Sequence, residues 1–206
     1  MNLFVTNIYR NPQLFFSVII AVAFSVCVHE FFHAWTALKC GDRTAADAGH
    51  LTLNPLKQMG ILSIIMLLVL GFCWGSVPVN NAVLSKKQRI LVSLAGPGAN
   101  LGLFICGVII FLIAGKAGVD DFLPFVLLFT QLNMVLFCIN IAPVPGFDGG
   151  AVLREFLPME KVYGSELGKG IMIGMVLLLF YSVDYIFLWS NQITYTVLKF
   201  FWSLIA

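Results

Sequence analysis

Charge is what this sequence has least of. Only 11% of its 206 residues are Asp, Glu, Lys or Arg, and twelve basic against ten acidic side chains leave a net +2. That surplus is too small and too scattered for a surface that tracks phosphates, so nucleic acid is not an expected partner, and disorder demands the opposite composition. Paired cysteines are missing too. Cys27, Cys40, Cys73, Cys106 and Cys138 are an odd number without a CxxC spacing, four of them in apolar runs, which excludes a disulfide framework and gives no sign of thiol chemistry. Repeats and low-complexity tracts are absent, and the connections between apolar runs leave no room for an extramembrane sensor domain.

What is present is apolar surface, with 60% hydrophobic and 14% aromatic residues, far from soluble-domain averages. The chain therefore reads as a membrane protein. An apolar helix needs about 20 residues to cross the hydrocarbon core, since only a segment that satisfies its own backbone is stable there. Residues 14–38, 90–114, 121–142 and 170–189 qualify. The run at 60–75 is bounded by Gly60 and Gly75 and is too short to span, which suits a re-entrant or interfacial segment; a further apolar stretch at 193–205 carries Lys199 and either lies in the interface or completes a sixth helix. A signal peptide would share the Arg10 and the Ala21-Val22-Ala23 of the first run, but that run continues past them and carries the most unusual polar residues of the chain, so it reads as a retained helix. The expected fold is all-α: one integral-membrane domain over 1–206, a polytopic bundle of about five to six membrane segments, with a small extended piece in the loop that contains Leu51-Thr52-Leu53.

Only three histidines occur, and two stand in His29-Glu30-Phe31-Phe32-His33. Residues four apart share a helix face, so both imidazoles can bind one zinc while the carboxylate between them stays close enough to act as general base. An ionisable group at membrane depth is costly, by about 2.5 to 3.5 kcal/mol on insertion scales, and is functional by default. A catalytic zinc takes three protein ligands and keeps one position for water. His50 and Asp148 are the candidates for the third. His50, in Gly49-His50-Leu51-Thr52-Leu53-Asn54-Pro55, reads equally as a surface histidine. Asp148 follows Asn140-Ile141-Ala142-Pro143-Val144-Pro145-Gly146-Phe147, a broken backbone of the kind tolerated at membrane depth where it lines a cavity; a plain helix N-cap is its alternative role.

These residues resemble the site-2 proteases, a family of intramembrane zinc metalloproteases. The likeness rests on His29-Glu30-x-x-His33, on Ala95-Gly96-Pro97 opening a later helix, and on Asn140-x-x-Pro143-x-Pro145-x-x-Asp148-Gly149, in family order over about residues 15 to 160. It implies that His29, His33 and Asp148 hold one zinc per chain, that Glu30 is the base, and that Asn140 positions substrate or stabilises the oxyanion. The loop from Gly49 to Pro55 is similar to that of the compact bacterial branch without a PDZ domain, although Gln58 stands where that branch has a histidine, outside the metal set. The implied partners are a membrane-protein substrate helix and the lipid bilayer, and the implied location is a bacterial plasma membrane crossed several times.

Topology bears on the metal set independently. If the loop after the first helix and Asp148 approach one zinc from the same side, an even number of crossings separates them. The runs at 90–114 and 121–142 supply two, so 60–75 must enter and leave on one side. Lys39, Arg43, Lys57, Lys86, Lys87, Arg89, Arg154, Lys161 and Lys169 then share a side against Arg10 and Lys116, and the positive-inside tendency puts the site nearer the cytoplasmic face. Asn133 and Gln131 read as interhelical hydrogen-bond partners, and Gly96, Gly98 and Gly102 as small residues permitting close helix approach. Leu51-Thr52-Leu53 could pair with an unwound substrate by strand addition. The competing readings are a different membrane HExxH protease that cuts at the interface with His50 as ligand, a catalytically silent helix-binding scaffold, and a metal transporter.

Overall fold

The computed structural model describes residues 3–157 and 165–205; Lys161, counted above, lies outside them. In chain order the helices are α1 (Asn7–Arg10), α2 (Pro12–Lys39), α3 (Thr44–Asp47), α4 (Pro55–Gln58), α5 (Gly60–Leu70), α6 (Lys86–Lys116), α7 (Leu123–Ile141), α8 (Asp148–Arg154) and α9 (Glu166–Ile205), with no strand among the described residues. Four of them are long and apolar enough to cross a membrane: α2, α6, α7 with the turn Asp120–Phe122 ahead of it, and α9. The fold is an all-α bundle.

Local chemistry sets the helix starts. Asn11 caps α2 by accepting the Leu14 N–H at 3.0 Å, and Pro12 fills the first turn, where its missing donor costs nothing. Ser85 and Gln88 form a reciprocal capping box at the start of α6. The bundle centre is made by α2, α6 and α7, which bury polar side chains as well as apolar ones; Ser25, Asn100, Thr130 and Asn133 are fully enclosed. The close approach of α6 to α7 falls at Gly107, where a Cβ would strike the Thr130 side chain, while Gly98 and Gly102 face open space. The expected small-residue contact therefore uses only Gly96 of the three named above, and uses it for a different purpose.

α5 is an excursion whose two ends meet. Its 11 residues advance about 16 Å. The chain turns at Gly71, with φ 73°, where the Phe4 ring packs against the turn. It then comes back with Trp74 N donating to Ser63 Oγ at 2.9 Å and Ser76 N donating to the Gln58 carbonyl at 3.0 Å. From Phe72 to Asn80 half-buried Cys73, Gly75, Val77 and Val79 alternate with exposed residues, the period of an extended chain, so five residues cover the same distance of about 16 Å that the helix needed eleven for.

Two expectations change. Residues 170–189 and 193–205 lie in one continuous helix of 40 residues, because Ser190-Asn191-Gln192 contains no Pro or Gly to interrupt it and Ser190, Thr194 and Leu198, spaced four apart, form a buried stripe against the bundle. Lys116 Nζ donates to the Ile205 carbonyl at 2.8 Å, which sets the end of α9 beside the end of α6. The loop piece at 51–53 is a bend rather than a strand: the Gln58 amide donates to the carbonyls of His50 at 2.9 Å and Thr52 at 2.6 Å, stitching the loop to α4.

Candidate metal centre

α2 presents His29 and His33 on one face with their Nε2 atoms 3.0 Å apart. The other ring nitrogens are already engaged. His33 Nδ1 lies 2.7 Å from the Val92 carbonyl, which can only accept, so Nδ1 carries the proton. His29 Nδ1 lies 2.6 Å from Asn100 Oδ1, and Asn100 is oriented by its Nδ2 donating to Asn133 Oδ1 at 3.1 Å, with Asn133 donating in turn to the Phe129 carbonyl at 2.9 Å. Both neutral imidazoles are thereby fixed as the tautomer with a lone pair on Nε2. Asp148 joins them from the first turn of α8, Oδ2 at 3.0 Å from His29 Nε2 and Oδ1 at 3.3 Å from His33 Nε2.

Three acceptors thus converge, with ligand atoms all within 4.8 Å of one another, and Asp148 Oδ2 has no hydrogen-bond donor. Two imidazoles with one carboxylate, their acceptor atoms facing one another in a buried site, are a donor set that suits zinc. The residues present therefore fit the metal that the sequence implies.

Steric detail explains the sequence around the cluster. Gly96 of α6 lies against both imidazoles, and a Cβ there would overlap both Nε2 atoms. Gly149 and Gly150 let α8 press onto the backbone of Ile141, Ala142 and Val144, folding Asp148 back toward α2. Glu30 is 7% exposed and is covered by Gly75 of the returning segment, where a Cβ would overlap the carboxylate.

Of the other candidates, His50 is outside the three-residue group; its Nδ1 is 3.3 Å from Gln58 Oε1. Asn140, expected to serve substrate or oxyanion, donates its Nδ2 to the Leu136 carbonyl one turn back, at 2.9 Å. Asn133 is the interhelical partner anticipated from its place in an apolar helix. Asn100 went unremarked in the sequence, though the signal was there: a second amide in a membrane helix, three residues after Pro97.

Residues 17–118 match the family model described as Peptidase family M50. Among curated proteins the chain is 35% identical over 164 residues to YwhC of Bacillus subtilis, covering 73% of this chain and 74% of that one. It is 34% identical over 179 residues to Rip2 of Mycolicibacterium smegmatis, covering 81% and 68%. Both bear names that call them zinc metalloproteases. MJ0392 of Methanocaldococcus jannaschii, also so named, is 24% identical and this chain spans 49% of its length. No solved structure matches. The chain belongs to Peptidase family M50, the site-2 protease family of zinc metalloproteases, as an integral membrane protein.

Proposed function

We propose that this chain is an intramembrane zinc endopeptidase that cleaves peptide bonds in or next to membrane-spanning segments of other proteins, with one zinc held by His29, His33 and Asp148. The convergence of three acceptor atoms from α2 and α8 inside an apolar bundle, next to a buried carboxylate, is the observation that carries it. When bound, zinc supplies Lewis acidity, making water nucleophilic near neutral pH and polarising the scissile carbonyl. The rest falls to the protein. Glu30 takes the proton of the attacking water and delivers it to the leaving amine. Asn100 and Val92 hold the imidazoles in the ligating tautomer, and Gly75 excludes bulk water from above Glu30.

A substrate helix hides its amides in its own hydrogen bonds and must open locally before cleavage, most easily at Gly or Pro. The segment from Phe72 to Asn80 is better placed to receive the opened strand than Leu51-Thr52-Leu53, whose neighbouring carbonyls are taken by Gln58. Its even-numbered edge is anchored through the N–H groups of Trp74, Ser76 and Asn80, so the odd-numbered edge, which includes Gly75 beside Glu30, faces the other way. The meeting of Ser76 with Gln58 supports a re-entrant excursion. With it, Lys39, Lys57, Lys86 and Lys87 fall on one side, and the positive-inside tendency supports our reading of a site nearer the cytoplasmic face of a bacterial plasma membrane.

The test is Glu30→Gln, reconstituted in vesicles with single-span membrane proteins that carry a Gly-Pro helix break. Hydrolysis falls by about 10²- to 10⁴-fold while zinc content stays that of the wild type. A variant that still cuts at the wild-type rate sinks the reading, and a scaffold or transporter would keep its function.

A further inference from the structure

Both imidazoles are registered by one face of α6. Val92 receives His33, Gly96 lies against both rings, and Asn100 receives His29. Positions 92, 96 and 100 follow one another at the four-residue spacing of a helix face, and one step of three residues further back on that face is Arg89. Its side chain crosses to the far end of α8. Nε donates to Glu155 Oε1 at 2.7 Å and one Nη to Oε2 at 2.7 Å, while the other Nη donates to the Leu84 carbonyl at 2.8 Å. This is a two-point fork on a carboxylate, and Arg89 holds the Glu155 carboxyl below its ordinary range. Glu155 is the C-cap of α8, and Asp148 is the first residue of the same short helix.

We propose that Arg89 is a positioning residue for the metal centre: by gripping Glu155 it fixes the C-terminal end of α8, and through that rigid helix it sets the Asp148 carboxylate at the point where the same face of α6 has placed the two imidazoles. α8 packs along α6 and against α7, and Gly149 and Gly150 seat the end that bears Asp148 on the preceding turn. The Arg89 fork adds a fixed point at the opposite end of the seven-residue helix, so that its register along α6, and with it the place of Asp148, is set from both ends. The proposal rests on the zinc reading above, since positioning has meaning only if Asp148 is a ligand.

The test uses the full chain in detergent, with zinc affinity measured by chelator competition and thermal unfolding followed with and without zinc. Arg89→Gln and Glu155→Gln are each expected to weaken zinc binding by about 10- to 100-fold, the usual effect of removing a group that orients a ligand, and to shrink the zinc-dependent rise in Tm. A merely structural pair would lower the metal-free and zinc-loaded Tm together and leave the affinity untouched, which overturns the proposal. So does a loss in Arg89→Gln that Glu155→Gln fails to reproduce, because the effect would then run through the Leu84 carbonyl. Should Arg89→Gln not fold, Glu155→Gln alone decides on the same criteria. A wild-type chain that retains no zinc sinks the metalloprotease reading itself; wild-type zinc matched by both variants overturns only the role given to Arg89.

Discussion

Gly96 makes a demand that runs against helix propensity. In the middle of α6 alanine would be favoured over glycine by about 1 kcal/mol, yet a Cβ at this position would occupy the space of both Nε2 atoms. Gly96→Ala should therefore leave helix content intact or slightly raised while abolishing zinc retention after dialysis against a chelator. Retention at the wild-type level would show that the imidazoles can retreat. His29, Glu30 and His33 were legible in the sequence because their relation is local, four residues on a helix of period 3.6. Asn100 was not, because its meaning depends on His29, 71 positions away, and no periodicity encodes which helix face meets which.

At the scale of elements, the run at 60–75 was legible as too short to span, whereas the turn at Gly71 inside it and the continuity of α9 were not. Three polar residues in an apolar run look like an interruption, but Ser190 is enclosed by the bundle and Thr194 Oγ1 donates to its carbonyl, so tertiary packing overrides the composition. The return from α5 is tied down by Asp42, which is 2% exposed and accepts from Thr44 N at 2.9 Å and Asn80 N at 2.7 Å. Burial pushes this carboxyl up, but the Thr44 and Asn80 donors outweigh it and hold it below the ordinary aspartate range. A lowered value means the tie is fully present above about pH 3.9 and fades as pH falls through the folded-state value. Asp42→Asn should cost about 2 kcal/mol near neutral pH, and its unfolding midpoint should converge on that of the wild type in acid; a constant offset across the range would remove ionisation from the account.

For the whole molecule, the decisive property is which segments share a side. In a chain with its five cysteines replaced, single cysteines at Lys57 and Lys87 should be equally protected from a membrane-impermeant thiol reagent applied to intact cells, and one at Lys116 should react. Labelling of position 57 with protection of 87 would make the α5 excursion a crossing. α9 adds a constraint of length: its 40 residues extend about 60 Å, twice the hydrocarbon thickness of about 30 Å, and its part from Ser190 onward buries a stripe against the bundle. Composition gave the number of long helices and their apolar nature, but which of them form the centre followed from contacts between residues far apart in the chain.

The dispersal of the metal cluster along the chain has a consequence for biogenesis. The imidazoles leave the ribosome early, their template α6 follows, and Asp148 with its Glu155 anchor comes after two further passages through the lipid. On the proposed reading, a half-made polypeptide would hold a histidine pair with no carboxylate to complete it, and the metal site would close only once α8 had been made.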